Sequence, residues 1–284
     1  MQTLSSDTSS TVEQMQIALL RRNSSWQKLN VVQDLNTTVQ TLAMSGLRRR
    51  HKDDSDVVLR RRLAELLLGH DLVSKVYGPH LIDVRRFRED RSMTTVIEVT
   101  LLVIEQLEAL GVRYMVGGSF ASSIHGVPRS TNDADIVADL RPEHVDALTR
   151  ALSPLFYIEA SSIHDAIRHR RSFNVIYLEQ GFKVDIFLPK SREFDNVQLS
   201  RRVLELFSHD PDRYAYVASA EDSVLAKLEW YRKGNEVSDR QFNDILGILK
   251  VRAADTDLAY LRHWAPIIGV ADLLERALDD AGLQ

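Results

Sequence analysis

Residues 117–135 read GGSFASSIHGVPRSTNDAD. A short apolar run, Tyr114-Met115-Val116, leads into them and stops at Gly117-Gly118-Ser119. Asp133 and Asp135 follow with one residue between them. Glycine has no side chain, so the backbone at Gly117 and Gly118 can approach a ligand closely and offer its N–H groups to phosphate. Ser119 adds a hydroxyl donor. On a strand, Asp133 and Asp135 point to one side, about 7 Å apart, and Ala134 and Ile136 point to the other. Two carboxylates so placed repel unless a cation lies near, and oxygen ligands of this kind suit Mg²⁺. One short segment thus offers groups for both phosphate and metal, which points to chemistry on a nucleoside triphosphate.

A third acid stands downstream in Lys183-Val184-Asp185-Ile186-Phe187. Asp185 interrupts an apolar strand, where a lone buried charge is costly. If that strand lies beside the Asp133–Asp135 strand, three carboxylates converge. Such a set suits Mg²⁺ (or Mn²⁺) ions that bridge a triphosphate and activate a hydroxyl, and Asp185 can accept the hydroxyl proton. Arg129, just before the acids, can neutralise phosphate charge. Lys227, beside Leu228 on a largely apolar helical segment, is a candidate to reach the β- or γ-phosphate; the alternative is a surface lysine that snorkels to water. His125 reads equally as a base contact or as a core residue. The run Arg168-His169-Arg170-Arg171 reads as a solvated charge run, with an acceptor-RNA contact as the sharper alternative.

The chain has 284 residues and a net charge of −4, with 36 Lys and Arg against 40 Asp and Glu. Residues 1–92 carry 15 basic and 11 acidic side chains, and residues 93–284 carry 21 and 29. A basic and an acidic half can attract each other, and the basic half can meet nucleic acid. There are no cysteines, which excludes disulfides and cysteine zinc sites and fits a reducing compartment. No apolar run approaches the roughly 20 residues of a membrane span, and the polar N-terminus lacks a signal-peptide core. A cytoplasmic protein is expected, with no membrane partner.

Periodicity predicts helices over about 12–22, 25–45 and 56–68, with Gly46 and Gly69 as stops. In the second, Leu29, Val32, Leu35, Val39 and Leu42 form one apolar stripe. Residues 70–92 are mixed. A helix follows Met93 and stops at Gly111, then come a strand at 114–116, a helical turn at 121–126 and a strand at 134–138. Pro142 opens a helix to about 152. Strands at 173–178 and 182–188 form a hairpin at Gln180-Gly181. From about 219 onward the chain is helical. The expected class is α+β: a palm with a small mixed sheet, a helical C-terminal region and a separate N-terminal all-helical unit. The expected domains are 1–92 and 93–284, the latter divided into a core at 93–215 and a helical tail at 216–284.

The string GGSFASSIHGVPRSTNDADIV, with the later Asp185 strand, resembles the nucleotidyltransferase superfamily built on the polymerase-β-like palm. It is most similar to the minimal branch akin to AbiEii-type toxins of prokaryotic toxin–antitoxin systems. The string EDSVLAKLEWYRKGNEVSDRQFNDILGIL looks like the helical tail of such proteins. The resemblance covers residues 93–284. It implies an enzyme that transfers a nucleotidyl group from an NTP to an RNA acceptor, such as a tRNA 3′ end, or to a protein. It puts Gly118 and Ser119 on the triphosphate, makes Asp133, Asp135 and Asp185 metal ligands, and makes Lys227 a nucleotide contact. Asp244 matches an acid of the tail motif without an assigned role. The string SGLRRRHKDDSDVVLRRRLAELLLG looks like small helical antitoxin-like partners, which implies an inhibitory contact made in cis or with a cognate antitoxin.

Overall fold

A computed structural model describes residues 3–5, 7–78 and 94–283. The chain divides into two compact units, each assembled from separated stretches. The first comprises Met1–Val32, Met115–Arg129 and Lys190–Gln284; the second comprises Gln33–Tyr114 and Ser130–Pro189. Among the described residues there are thirteen α-helices and seven strands, paired both parallel and antiparallel. The expected α+β class is observed. The expected boundary between residues 92 and 93 lies outside the described residues.

The second unit carries four strands in the order β3-β4-β5-β2. They are β2 (Asp133–Ala138), β3 (Phe156–Tyr157), β4 (Ser172–Tyr177) and β5 (Phe182–Phe187). β2 runs parallel to β5, and β5 runs antiparallel to β4 through the expected hairpin. Gly181 at that turn has φ +68°, the left-handed region that favours glycine. Helix α5 (Val96–Ala109) packs against β2 and β5. It starts with a capping box: the Thr95 hydroxyl accepts from the Glu98 N–H, and the Glu98 carboxylate accepts from the Thr95 N–H. Ala134, Ile136, Val184 and Ile186 are fully buried, while the alternate residues of both strands are half-buried. The period of two therefore leaves one face apolar and sealed and the other polar.

Helices α3 (Asp56–Leu68) and α4 (His70–Tyr77) also belong to the second unit. A Cβ on Gly181 would come within 3.3 Å of Ala64 and Leu68, and the Tyr77 hydroxyl donates to the Leu178 carbonyl at 3.0 Å. Helices α3 and α4 thus lie against the hairpin turn. α3 ends at Gly69, as predicted.

The first unit holds strands in the order β1-β7-β6, with β1 (Tyr114–Val116), β6 (Val203–Ser208) and β7 (Arg213–Val217). Its helices are α1 (Ser10–Arg22), α6 (Gly118–His125), α9 (Glu193–Arg201), α10 (Ala220–Lys233), α11 (Asp239–Arg252), α12 (Leu258–Ile267) and α13 (Ala271–Ala281). Helices α10 to α13 build one apolar core around Leu225, Leu228, Leu246, Leu249 and Leu274. α1 is fixed to α11 by polar groups. Buried Glu13 pairs with buried Lys250 at 2.9 Å, and Arg21 donates to the carbonyls of Lys250 and Val251.

The long helix α2 (Ser25–Arg50) runs through Gly46, which the periodicity had marked as its stop. Its apolar stripe also divides. Leu29 and Val32 are fully buried, but Leu35, Val39 and Leu42 are exposed, and Asn36 and Leu47 take the buried positions instead.

Candidate functional site

Two groups of predicted residues come together, one in each unit. In the second unit the register of β2 and β5 aligns Asp133 with Lys183 and Asp135 with Asp185. Residues opposite one another in register share a face. Asp133, Asp135 and Asp185 therefore stand on the polar face, opposite the sealed Ala134, Ile136, Val184 and Ile186. β4 adds Asn174, opposite Asp185. The conditional expectation from the sequence, that the Asp185 strand lies beside the Asp133–Asp135 strand, is met.

The sequence did not single out the cation on this face. The Lys183 ammonium lies 2.7 Å from the Asp185 carboxylate and 3.9 Å from that of Asp133. Burial works against its charge, but the hydrogen bond to Asp185 and the negative charges of Asp185, Asp133 and Asp135 outweigh burial and raise its pKa. Asp185 is the more enclosed partner, with a side chain 13% exposed. Burial raises its pKa, and Lys183 only partly opposes this. Asp133 is steadied from its other side by the buried Thr131, whose hydroxyl lies 3.0 Å from a carboxylate oxygen.

In kind, these donors fit a hard divalent cation: three carboxylates and only oxygen ligands on one sheet face. In placement, the Lys183 ammonium stands among them. Among the described residues no three acidic or imidazole side chains close on a common point at metal-binding range. A divalent ion on this face requires Lys183 to withdraw its ammonium.

The second group lies in the first unit. Gly117 precedes α6, and Gly118 opens it with φ +53°. Ser119 follows, nearly buried. Its hydroxyl accepts from Arg129 at 2.7 Å. The Arg129 guanidinium also grips Asp244 of α11 with two bonds of 2.8 Å. Lys227 of α10 donates to the same carboxylate at 2.8 Å. Ser119, Arg129 and Lys227, predicted separately, are thus joined through Asp244. Burial would raise the Asp244 pKa, but the Arg129 fork and the Lys227 ammonium hold it below the ordinary carboxylate range. Lys227 is buried rather than snorkelling.

Glycine makes this reach possible. A Cβ on Gly126 would lie 2.8–2.9 Å from backbone atoms of Ile248, Gly247 and Ser122, so α6 ends directly against the backbone of α11. At that separation Asp244 comes within 3.4 Å of the Ser122 hydroxyl as well.

His125 is a core residue. It is buried, its Nε2 lies 2.7 Å from the Ala218 carbonyl, and burial lowers its pKa. Arg168, His169, Arg170 and Arg171 are all exposed at the end of α8 (Ala160–His169), as a solvated charge run should be.

No protein-family model matches the chain, and no curated protein matches it. Two solved structures are similar to it in part. The crystal structure of an antigenic nucleotidyltransferase-like protein from Paracoccidioides brasiliensis shares 15% identity, covering 64% of this chain and 91% of that one, with a TM-score of 0.40. The solution structure of the antibiotic-resistance factor ANT(2'')-Ia shares 12% identity, covering 63% of this chain and 95% of that one, with a TM-score of 0.41. Overlap at this depth assigns no activity to the chain.

Proposed function

We propose that the chain is a metal-dependent nucleotidyltransferase that moves an NMP group from an NTP to an acceptor hydroxyl. One observation carries this: Asp133, Asp135 and Asp185 stand on one polar face of two adjacent parallel strands, with Asp135 and Asp185 in register. Three acids at neighbouring positions are costly in a sheet unless a cation or a reaction uses them. Mg²⁺ or Mn²⁺ held by these acids would screen the triphosphate and acidify the attacking hydroxyl.

The protein's own groups supply the rest. Burial raises the Asp185 pKa, which suits a group that accepts a proton. The acceptor oxygen bonds to the α-phosphorus, the bond from that phosphorus to the pyrophosphate oxygen breaks, and the acceptor proton passes to Asp185. The sequence resemblance assigns the triphosphate to Gly118 and Ser119, and the free backbone of Gly117 can add to them. Arg129 and Lys227 together carry one more charge than Asp244 cancels, and that excess favours phosphate near Ser119.

The resemblance also supports an acceptor that is a tRNA 3′ end or a protein hydroxyl, a toxin–antitoxin setting in the cytoplasm, and an antitoxin-like role for residues 1–92. The test is incubation with each labelled NTP in total RNA and protein, alongside Asp133→Asn and Asp135→Asn. Label that enters neither RNA nor protein, or enters equally with the variants, contradicts the proposal. The Lys183–Asp185 ion pair favours a second reading, a nucleotide-binding module without turnover. NTP binding without label transfer would establish it.

A further inference from the structure

Helix α2 lies outside the part of the chain that resembles a transferase, yet it reaches the acid strand. Asn36 is 6% exposed and continues the stripe of buried Leu29 and Val32. An apolar residue would satisfy that position. The Asn36 amide instead leaves its Nδ2 buried with no hydrogen-bond partner. A buried, half-satisfied amide is unfavourable in a helix unless its other half serves a purpose. That half is engaged: the Oδ1 accepts the Thr131 backbone N–H at 2.9 Å. This bond also fixes the amide orientation, because a flip would set an NH₂ group against an N–H donor.

Thr131 is equally buried. Its hydroxyl lies 3.0 Å from the Asp133 carboxylate and 3.1 Å from the Asp133 carbonyl. A continuous line of hydrogen bonds therefore runs from α2 through Thr131 to the first acid, and all three residues lie in the second unit.

We propose that Asn36 is a positioning residue for Asp133. It anchors the Thr131 backbone so that the Thr131 hydroxyl holds the carboxylate in one orientation. This inference rests on Asp133 being a metal ligand. Partners that orient a ligand set its affinity for the ion, and their loss costs at least about tenfold in binding.

The experiment measures Mn²⁺ binding by electron paramagnetic resonance on the full chain, with melting temperatures recorded in parallel. Asn36→Leu and Thr131→Val should each weaken Mn²⁺ binding at least about tenfold. Thr131→Ser should stay within about twofold of the parent, because it keeps the hydroxyl. Asn36→Leu removes the unpaired Nδ2 but leaves the buried Thr131 N–H without its acceptor, so a lower melting temperature is expected. Mn²⁺ binding is therefore compared where each variant is fully folded, and this separates positioning from a structural role. Thr131→Val is the second route if Asn36→Leu fails to fold. Unchanged Mn²⁺ binding in Thr131→Val and Asn36→Leu, with binding lost in Asp133→Asn, overturns the inference and leaves the metal reading standing. Unchanged binding in Asp133→Asn overturns both.

Discussion

Replacing Asp244 by Asn should be among the most damaging single changes in the first unit. The Asp244 side chain is 6% exposed and accepts three charge-assisted hydrogen bonds of 2.8 Å from two cations. Lys227 is 10% exposed and Arg129 is 24% exposed at their side chains, so water cannot replace the lost partner in full. Breaking a buried ion pair by removing one member costs about 3–5 kcal/mol, because the remaining charge is stranded. Here two charges are stranded, which places the loss toward the upper end. Lys227→Met alone leaves Asp244 gripped by Arg129 and should cost about 1.5–3 kcal/mol, the value of a charged hydrogen bond. The double variant removes Lys227 together with its carboxylate and takes the Asp244 carboxylate only from the more exposed Arg129. It should therefore be less destabilised than the two single changes combined, with a coupling of about 2 kcal/mol. Urea unfolding of the four proteins, compared by midpoint and slope, measures this. A loss below about 1 kcal/mol in Asp244→Asn, or additivity within about 0.5 kcal/mol, would refute the network as the centre of this unit.

Three further outcomes are expected. Asp244 has its pKa lowered in the folded state, so its contribution is fully present above the unfolded carboxylate pKa of about 3.9 and disappears as pH falls through the folded value; Asp244→Asn should therefore differ most from the parent near pH 7 and converge with it under acid conditions, followed by circular dichroism. Gly126→Ala drives a methyl group into the α11 backbone and should cost about 1–3 kcal/mol, read as a lower melting temperature or loss of soluble protein. Lys183→Met removes the ammonium among the acids and should tighten Mn²⁺ binding by about tenfold, worth about 1.4 kcal/mol; unchanged affinity would show that Lys183 does not compete with the ion.

The sequence exposed the parts of the fold that rest on local signals. The alternation through the first acid strand placed Asp133 and Asp135 on one face, and Gly181 marked the hairpin between β4 and β5, while the place of Asp185 beside them depended on strand pairing. Long-range contacts were not legible. Lys183 was passed over because a lysine on a strand reads as a solvated residue until its neighbour is known to be Asp133. Thr131 and Asn36 are separated by 95 residues, and no spacing rule links them. Asp244 could not be assigned until α11 was seen against α6, an approach set by Gly126, which sequence alone places only at the end of a helical turn. β6 and β7 escaped because their strands are mostly half-buried and their residues mix charge with aromatics. The α2 stripe misled because periodicity identifies an apolar face without showing how far its cover extends. That cover reaches Leu29 and Val32 and leaves Leu42 67% exposed.

The most direct test of the central claim is transfer of label from α-³²P-labelled NTPs into total RNA and protein by the full chain, compared with Asp133→Asn, Asp135→Asn and Asp185→Asn. Label should enter an acceptor with the parent and be lost in all three variants, while the variants keep the parent's circular dichroism. Equal labelling by parent and folded variants would contradict a reaction centred on these three carboxylates.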